Sequence, residues 1–133
     1  TVERRIDFES VSLYKVIVRA IDSVSSKWTD ALVSISIKDA NDNPPQFSHH
    51  LYELNVSEAT AISTSILTVT TNDLDTGINA GVTYQAQDMN GSMLEDFYII
   101  SDTGILVLKK SLDRERQDKH DFLIVAIDTG KPP

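Results

Sequence analysis

The sequence predicts an all-β sandwich, and three observations carry that prediction. Segments whose side chains alternate with a period of two recur about every ten residues, the spacing of short strands in a sandwich. Asn, Asp, Gly and Pro punctuate these segments, each a turn former for its own steric or hydrogen-bonding reason. No apolar stripe has a sustained helical period; the stretch with most helical character, 109–119, is short and heavily charged. With 133 residues, 41% hydrophobic and 24% charged, the chain has a globular composition with room for one domain-sized core and not for two complete ones.

In chain order, Ile6-Asp7-Phe8-Glu9 comes first, two acids two positions apart among apolar neighbours. Tyr14, Val16, Val18 and Ala20 then alternate with Lys15, Ile17 and Arg19, a β-branched strand that ends at Asp22. Residues 23–30 read as a polar turn holding the only tryptophan, Trp28, and 32–38 as a second strand with Val33, Ile35 and Ile37 inward. Beyond Pro45, Tyr52, Leu54 and Val56 alternate with Glu53, Asn55 and Ser57, a strand closed by Glu58 that leaves Asn55 facing solvent. A β-branched run over 66–71 and the alternation of Val82, Tyr84 and Ala86 give two more strands. Asn90-Gly91 is a strong turn signal, and 97–100 with 104–108 read as a hairpin around Ser101-Asp102-Thr103-Gly104.

Two loops are dense in acids. The first is Asp39-Ala40-Asn41-Asp42-Asn43-Pro44-Pro45. Its carboxylate and amide oxygens suit a hard cation such as Ca²⁺, which takes six to eight oxygen ligands, and the two prolines, with fixed φ and no amide hydrogen, stiffen the exit. The same residue types are common turn formers, so this stretch by itself supports a metal-holding hinge and an ordinary polar turn equally. The second loop is Asp73-Leu74-Asp75-Thr76-Gly77-Ile78-Asn79-Ala80-Gly81. Twenty acids against twelve bases give a net charge of −8, which argues against nucleic acid or an anionic membrane as partner. The absence of cysteine removes disulfides and thiolate metal sites. No apolar run approaches the roughly 20 residues of a membrane span, so no direct membrane insertion by this segment is expected.

An internal register breaks the tie over the hinge. Leu112-Asp113-Arg114-Glu115 repeats the acid-x-acid pattern of Ile6-Asp7-Phe8-Glu9 at an offset of 106 residues, and Ala126-Ile127-Asp128 repeats Ala20-Ile21-Asp22 at the same offset. Between them Leu123-Ile124 falls on Ile17-Val18 without a gap. A period of domain size reads as the end of one repeat followed by most of the next, with the hinge at the junction and acids on both sides of it.

With these motifs the chain resembles extracellular cadherin repeats over essentially its whole length. Asp39-Ala40-Asn41-Asp42-Asn43 is similar to the family's D-x-N-D-N linker and is followed by its usual Pro-Pro. Asp73-Leu74-Asp75 resembles the D-x-D loop, with Gly77 and Asn79 in a G-x-N continuation frequent in protocadherin-like and Fat-like members. Leu112 to Glu115 matches L-D-R-E, residues 6–9 are a variant of it, Asp22 and Asp128 close A-x-D motifs, and Glu58 takes the place of the first-strand glutamate. Trp28 is not near a chain start and does not match the N-terminal tryptophan that classical cadherins exchange, so the resemblance is to protocadherin-like or Fat/Dachsous-like members.

The resemblance implies a seven-stranded Greek-key, immunoglobulin-like sandwich repeated in tandem, with up to three Ca²⁺ ions at a complete junction. It divides the chain into 1–38, the C-terminal part of an upstream repeat; 39–45, a calcium-binding linker; and 46–133, a following repeat lacking its last strand. The implied ligands are Asp7 and Glu9 upstream, then Asp39, Asp42, Asn43 and the carbonyls of Ala40 and Asn41 in the linker. Asp73, Asp75, Asp128 and the carbonyl of Asn79 complete the set downstream. One ion, held by Asn43, Asp73, Asp75 and Asp128, has its whole set; the others lack an upstream glutamate. Asp22, Glu58, Asp113 and Glu115 are implied ligands of adjacent junctions. The function implied is that of a calcium-dependent cell–cell adhesion receptor ectodomain, non-enzymatic, in the extracellular part of a plasma-membrane protein. Its expected partners are other cadherin ectodomains in cis or trans, with no nucleic acid and no small-molecule substrate.

Converging acids call for a cation on physical grounds as well: two carboxylates about 4 Å apart repel by roughly 4 kcal/mol at an effective dielectric near 20. An EF-hand needs Gly at loop position six and Glu at twelve; counting from Asp39 these are Pro44 and His50, and from Asp73 they are Ile78 and Tyr84. His49 and His50 have no third transition-metal ligand at suitable spacing and read as solvated. Asp113 with Glu115 as a glycosidase-type pair lacks aromatic platforms nearby. Asn55-Val56-Ser57 and Asn90-Gly91-Ser92 are N-glycosylation sequons. The alternative from another class is a calcium-dependent carbohydrate-binding or hydrolytic β-sandwich module, which needs a cleft of converging aromatic and ionisable groups away from the acidic loops.

Overall fold

Alternating β-branched and polar residues produce strands throughout. The computed structural model describes residues 5–131, which contain nine strands and no helix. The backbone divides after Ala40 into two units.

The first unit is an antiparallel hairpin of β1 (Leu13–Ile21) and β2 (Trp28–Ser36), with Leu13 opposite Ser36 and Ile21 opposite Trp28. The polar turn is therefore shorter than the sequence suggests, and Trp28 opens a strand. Arg19 explains the extension: its guanidinium forms two hydrogen bonds of 2.7 and 2.8 Å to the carboxylate of Asp30 across the ladder and lies 4.0 Å over the Trp28 ring. Pairing puts Tyr14, Val16, Val18, Ala31, Val33 and Ile35 on one face. Val33, expected inward, is 39% exposed, and Ile35 is exposed as well, whereas Ile37 is half-buried. A two-stranded ribbon has no opposing layer of its own to bury them.

The second unit has three antiparallel groups: β3 (Gln46–Phe47) with β5 (Thr71–Asn72); β4 (Ser65–Thr68), β8 (Ile105–Leu108) and β7 (Phe97–Ile100) in the order β4-β8-β7; and β6 (Val82–Gln87) with β9 (Leu123–Asp128). The β7–β8 hairpin forms where the sequence places it, and Gly104 in its turn has φ +67°, a conformation glycine adopts without a steric cost. The strand expected over 66–71 is split. Val69 N still bonds to Gly104 O at 2.9 Å, but Thr70 O accepts from Ser48 N at 3.0 Å, so the chain changes partner and continues as β5. The strand expected over 52–57 does not form: among the described residues no ladder runs along it, although its alternation is clear. Asn55 is exposed there, as expected, on an irregular segment.

Phe97, Leu106 and Leu108 form the buried cluster, with Ile66, Leu67, Ala86, Leu94, Ile99, Leu112 and Phe122 packed against it. The core thus receives side chains from the three-stranded sheet, from Ala86 of β6 and from Leu94, Leu112 and Phe122 outside the strands. Full burial of each Leu or Phe contributes about 1.5–3 kcal/mol.

Candidate metal centre

Three loops of the second unit converge, and the strand registers explain why. Gln46 opposite Asn72 brings the chain just before β3 alongside the chain just after β5. Val82 opposite Asp128 does the same for the end of the 73–81 loop and the end of β9, a pairing carried one step further by Thr129 N donating to Gly81 O at 2.8 Å. Asn43 then engages Asp75 twice: its side-chain amide donates to Oδ1 at 2.7 Å and its backbone N–H to Oδ2 at 3.2 Å. Asp75 N donates to Asp73 Oδ1 at 3.0 Å, which fixes the loop and leaves Asp73 Oδ2 buried without a hydrogen bond. Asp128 accepts from the Asn41 side-chain amide at 2.5 Å and from Gly130 N at 2.7 Å. Asp42 is exposed and accepts from Asn43 Nδ2 at 2.9 Å.

The electrostatics of this cluster are unbalanced. Asp75 is only 5% exposed, and among the described residues no lysine or arginine pairs with Asp73, Asp75 or Asp128. A buried carboxylate is costly unless it is paired or coordinates a metal. The donors are all hard oxygens, beside a cleft of about 250 Å³ lined by Asn41, Asp42, Asn43, Pro44 and Asp128, and such a donor set fits Ca²⁺.

In the first unit Asp7 and Asp22 build matching turns. Asp7 accepts from Ser10 Oγ at 2.8 Å and Glu9 N at 3.1 Å, and these bonds, the serine's foremost, hold its carboxyl below the usual range. Asp22 accepts from Ser25 Oγ at 2.5 Å and Val24 N at 2.8 Å, with the same consequence. Glu9 and Asp39 each offer a carboxylate oxygen within 4.8 Å of the other. The 106-residue register recurs in the hydrogen bonds. Val11 N to Asp7 O at 3.0 Å is matched by Gln117 N to Asp113 O at 2.9 Å, and Val24 N to Asp22 Oδ1 by Gly130 N to Asp128 Oδ1. Elsewhere in the second unit Glu58, Asp113 and Glu115, distant in sequence, bring one carboxylate oxygen each within 4.8 Å of the others, all three residues being exposed. Glu58 also accepts from Arg114 N at 3.0 Å.

A Cadherin domain model matches residues 52–133 of the chain. The chain belongs to the cadherin family. Human Protocadherin Fat 1 is 35% identical over 127 residues, which are 96% of this chain and 3% of that protein, and Drosophila melanogaster Protein dachsous is 34% identical over 140 residues, 97% and 4% respectively. The chain thus spans a few per cent of the length of these relatives. Mouse clustered PcdhgC3 EC1-3 superposes with a TM-score of 0.91 at 32% identity, covering 98% of this chain and 42% of that one. The Protocadherin GammaB4 extracellular domain gives 0.83 at 28%, covering 95% and 19%, and a Protocadherin gammaB7 EC3-6 cis-dimer structure gives 0.82 at 27%, covering 96% and 31%. These neighbours establish the β-sandwich fold. Cadherin domains form structural and adhesive ectodomains and are not enzymes, so the glycosidase-type reading of Asp113 and Glu115 falls away. No helix among the described residues is long and apolar enough to cross a membrane.

Two features of this cadherin segment escape a reading of its motifs. Asn41, expected to contribute its carbonyl, also sends its side chain to Asp128. Gly130 makes room for it: a Cβ there would overlap the Asn41 amide and come within 2.9 Å of the Asn79 Cα. The clue in the sequence is the register itself, which sets Gly130 where the first unit has Val24. His49 packs edge-on to Tyr52 at 5.4 Å, and among the described residues neither it nor His50 joins an acidic group.

Proposed function

We propose that this chain is part of a calcium-dependent adhesion ectodomain, and that Asn43, Asp73, Asp75 and Asp128 hold Ca²⁺. The observation that carries the reading is the buried Asp75 beside Asp73, whose Oδ2 lacks a hydrogen bond, with no lysine or arginine among the described residues paired to Asp73, Asp75 or Asp128. In this reading the same residues belong to a junction in which 1–38 ends one repeat, 39–45 is the linker and 46–133 belongs to the next. Bound Ca²⁺ supplies the positive charge that lets converging carboxylates share one site. Asp7, Glu9, Asp39, Ala40, Asn41, Asp42 and Asn79 are the remaining ligands of that junction in this reading, and Asp22, Glu58, Asp113 and Glu115 serve adjacent ones. The rod so stiffened stands outside the cell and meets other cadherin ectodomains in cis or in trans.

Calorimetric titration of the chain with Ca²⁺ tests this. Binding in the 10⁻⁴–10⁻³ M range of extracellular calcium modules is expected, with the tightest step lost in Asp75→Asn. No heat of binding at concentrations well above that range would overturn the reading.

A further inference from the structure

The turn between β6 and β7 contains none of the residues proposed to hold calcium. Gln87 and Met93 form an antiparallel bridge at its base, and Asp88 N donates to Ser92 O at 2.8 Å. The Asp88 carboxylate accepts from Asn90 N at 2.8 Å and Ser92 N at 2.7 Å, while Gly91, with φ of 84°, donates to Asp88 O at 3.0 Å. The backbone donors of Asn90, Gly91 and Ser92 are thus satisfied by Asp88. The Asn90 side-chain amide and the Ser92 hydroxyl, the two groups that define the sequon, make no hydrogen bond among the described residues and are exposed. The other sequon differs: Ser57 Oγ accepts from Ala59 N at 3.2 Å. Asn90 also lies between Met89 and Met93, which are 70% and 92% exposed.

We propose that Asn90 carries an N-linked oligosaccharide and that its sugars cover Met89 and Met93. The inference rests on the extracellular reading, because N-glycosylation marks secreted surfaces. In the transfer, Asn90 Nδ2 forms a bond to the anomeric carbon of a lipid-pyrophosphate-linked oligosaccharide. The bond from that carbon to the pyrophosphate oxygen breaks, the lipid pyrophosphate leaves, and Nδ2 gives up one proton. A turn held by Asp88 tolerates the attached sugar because no internal contact of Asn90's side chain is lost.

The test uses the full-length protein expressed in secretory cells as wild type, Asn90→Gln and Ser92→Ala. Surface exposure is read with an impermeant biotin reagent, and glycosidase release in heavy-oxygen water followed by peptide mapping reads Asn90. Labelled aspartate at position 90 in the wild type only, with sulfoxide at Met89 and Met93 forming at least about threefold faster in both variants under dilute peroxide, supports the proposal. Ser92→Ala keeps Asn90 and the backbone bonds of the turn, so a loss of label in it cannot come from misfolding of the tip. Unlabelled Asn90 on a biotin-accessible protein overturns the proposal alone; on an inaccessible protein it overturns the extracellular reading with it. Labelled Asn90 with unchanged methionine oxidation overturns the covering of Met89 and Met93.

Discussion

Asn43 grips both oxygens of Asp75, one from its side-chain amide at 2.7 Å and one from its backbone at 3.2 Å, and so fixes the orientation of a carboxylate that is almost wholly buried. With calcium chelated, Asp75→Asn removes a buried charge but sets its NH2 group against one of the two Asn43 donors, a loss of about 1–3 kcal/mol that offsets the relief; the calcium-dependent gain is therefore the quantity that tests ligation. At calcium about ten times the dissociation constant the native chain gains about 1.4 kcal/mol, and the variant gains much less. Thermal unfolding with and without chelator reads the difference. Equal gains in both proteins would remove Asp75 from the ligand set.

Gly130→Val tests the packing of the Asn41 amide against Asp128. Its Cβ has no room beside Asn41 and Asn79, and overpacking of this kind costs about 1–3 kcal/mol. Both urea stability and calcium affinity are expected to fall. A variant with native affinity would show that the position of the Asn41 side chain is immaterial to binding.

Leu108→Ala removes a side chain that is fully buried against Phe97 and Leu106. The expected loss is about 2–5 kcal/mol, read by urea denaturation. It should appear equally with calcium and with chelator, because Leu108 lies in the core cluster with Phe97 and Leu106. A calcium-dependent loss would contradict this expectation.

Asp30 gives the pH dependence. The Arg19 guanidinium holds its carboxyl below the ordinary carboxylate value. A depressed folded pKa contributes stability that is present above the unfolded value and is lost as pH falls through the folded one. Stability differences between the native chain and Asp30→Asn should therefore vanish at acid pH and be largest near neutrality. Carboxyl chemical shifts of Asp30 in Arg19→Gln should titrate higher than in the native chain; an unmoved midpoint would assign the depression to another group.

The strands at Tyr14, Tyr84 and Phe97 were legible because alternation and a partner edge coincide there. Residues 52–57 show the limit. Their alternation is as regular as that of β6, but pairing is a property of the neighbour, which a local pattern does not contain. Trp28 and Asp30 were hidden for the opposite reason: polar residues read as a turn until the cross-strand partner Arg19 is known. The acids were legible from type and spacing. The contribution of the Asn41 side chain was not, because it depends on the absent Cβ of a residue far along the chain.

The aspartate turns at Asp7, Asp22, Asp73 and Asp128 are each closed by backbone N–H groups no more than three residues away. Such loops take their shape from their own short stretch of chain. For the calcium binding proposed above, this means that the ion would meet a cradle already moulded and that chelation would empty it without melting it: binding would be fast and reversible, limited by diffusion and dehydration of the ion rather than by refolding of the loops.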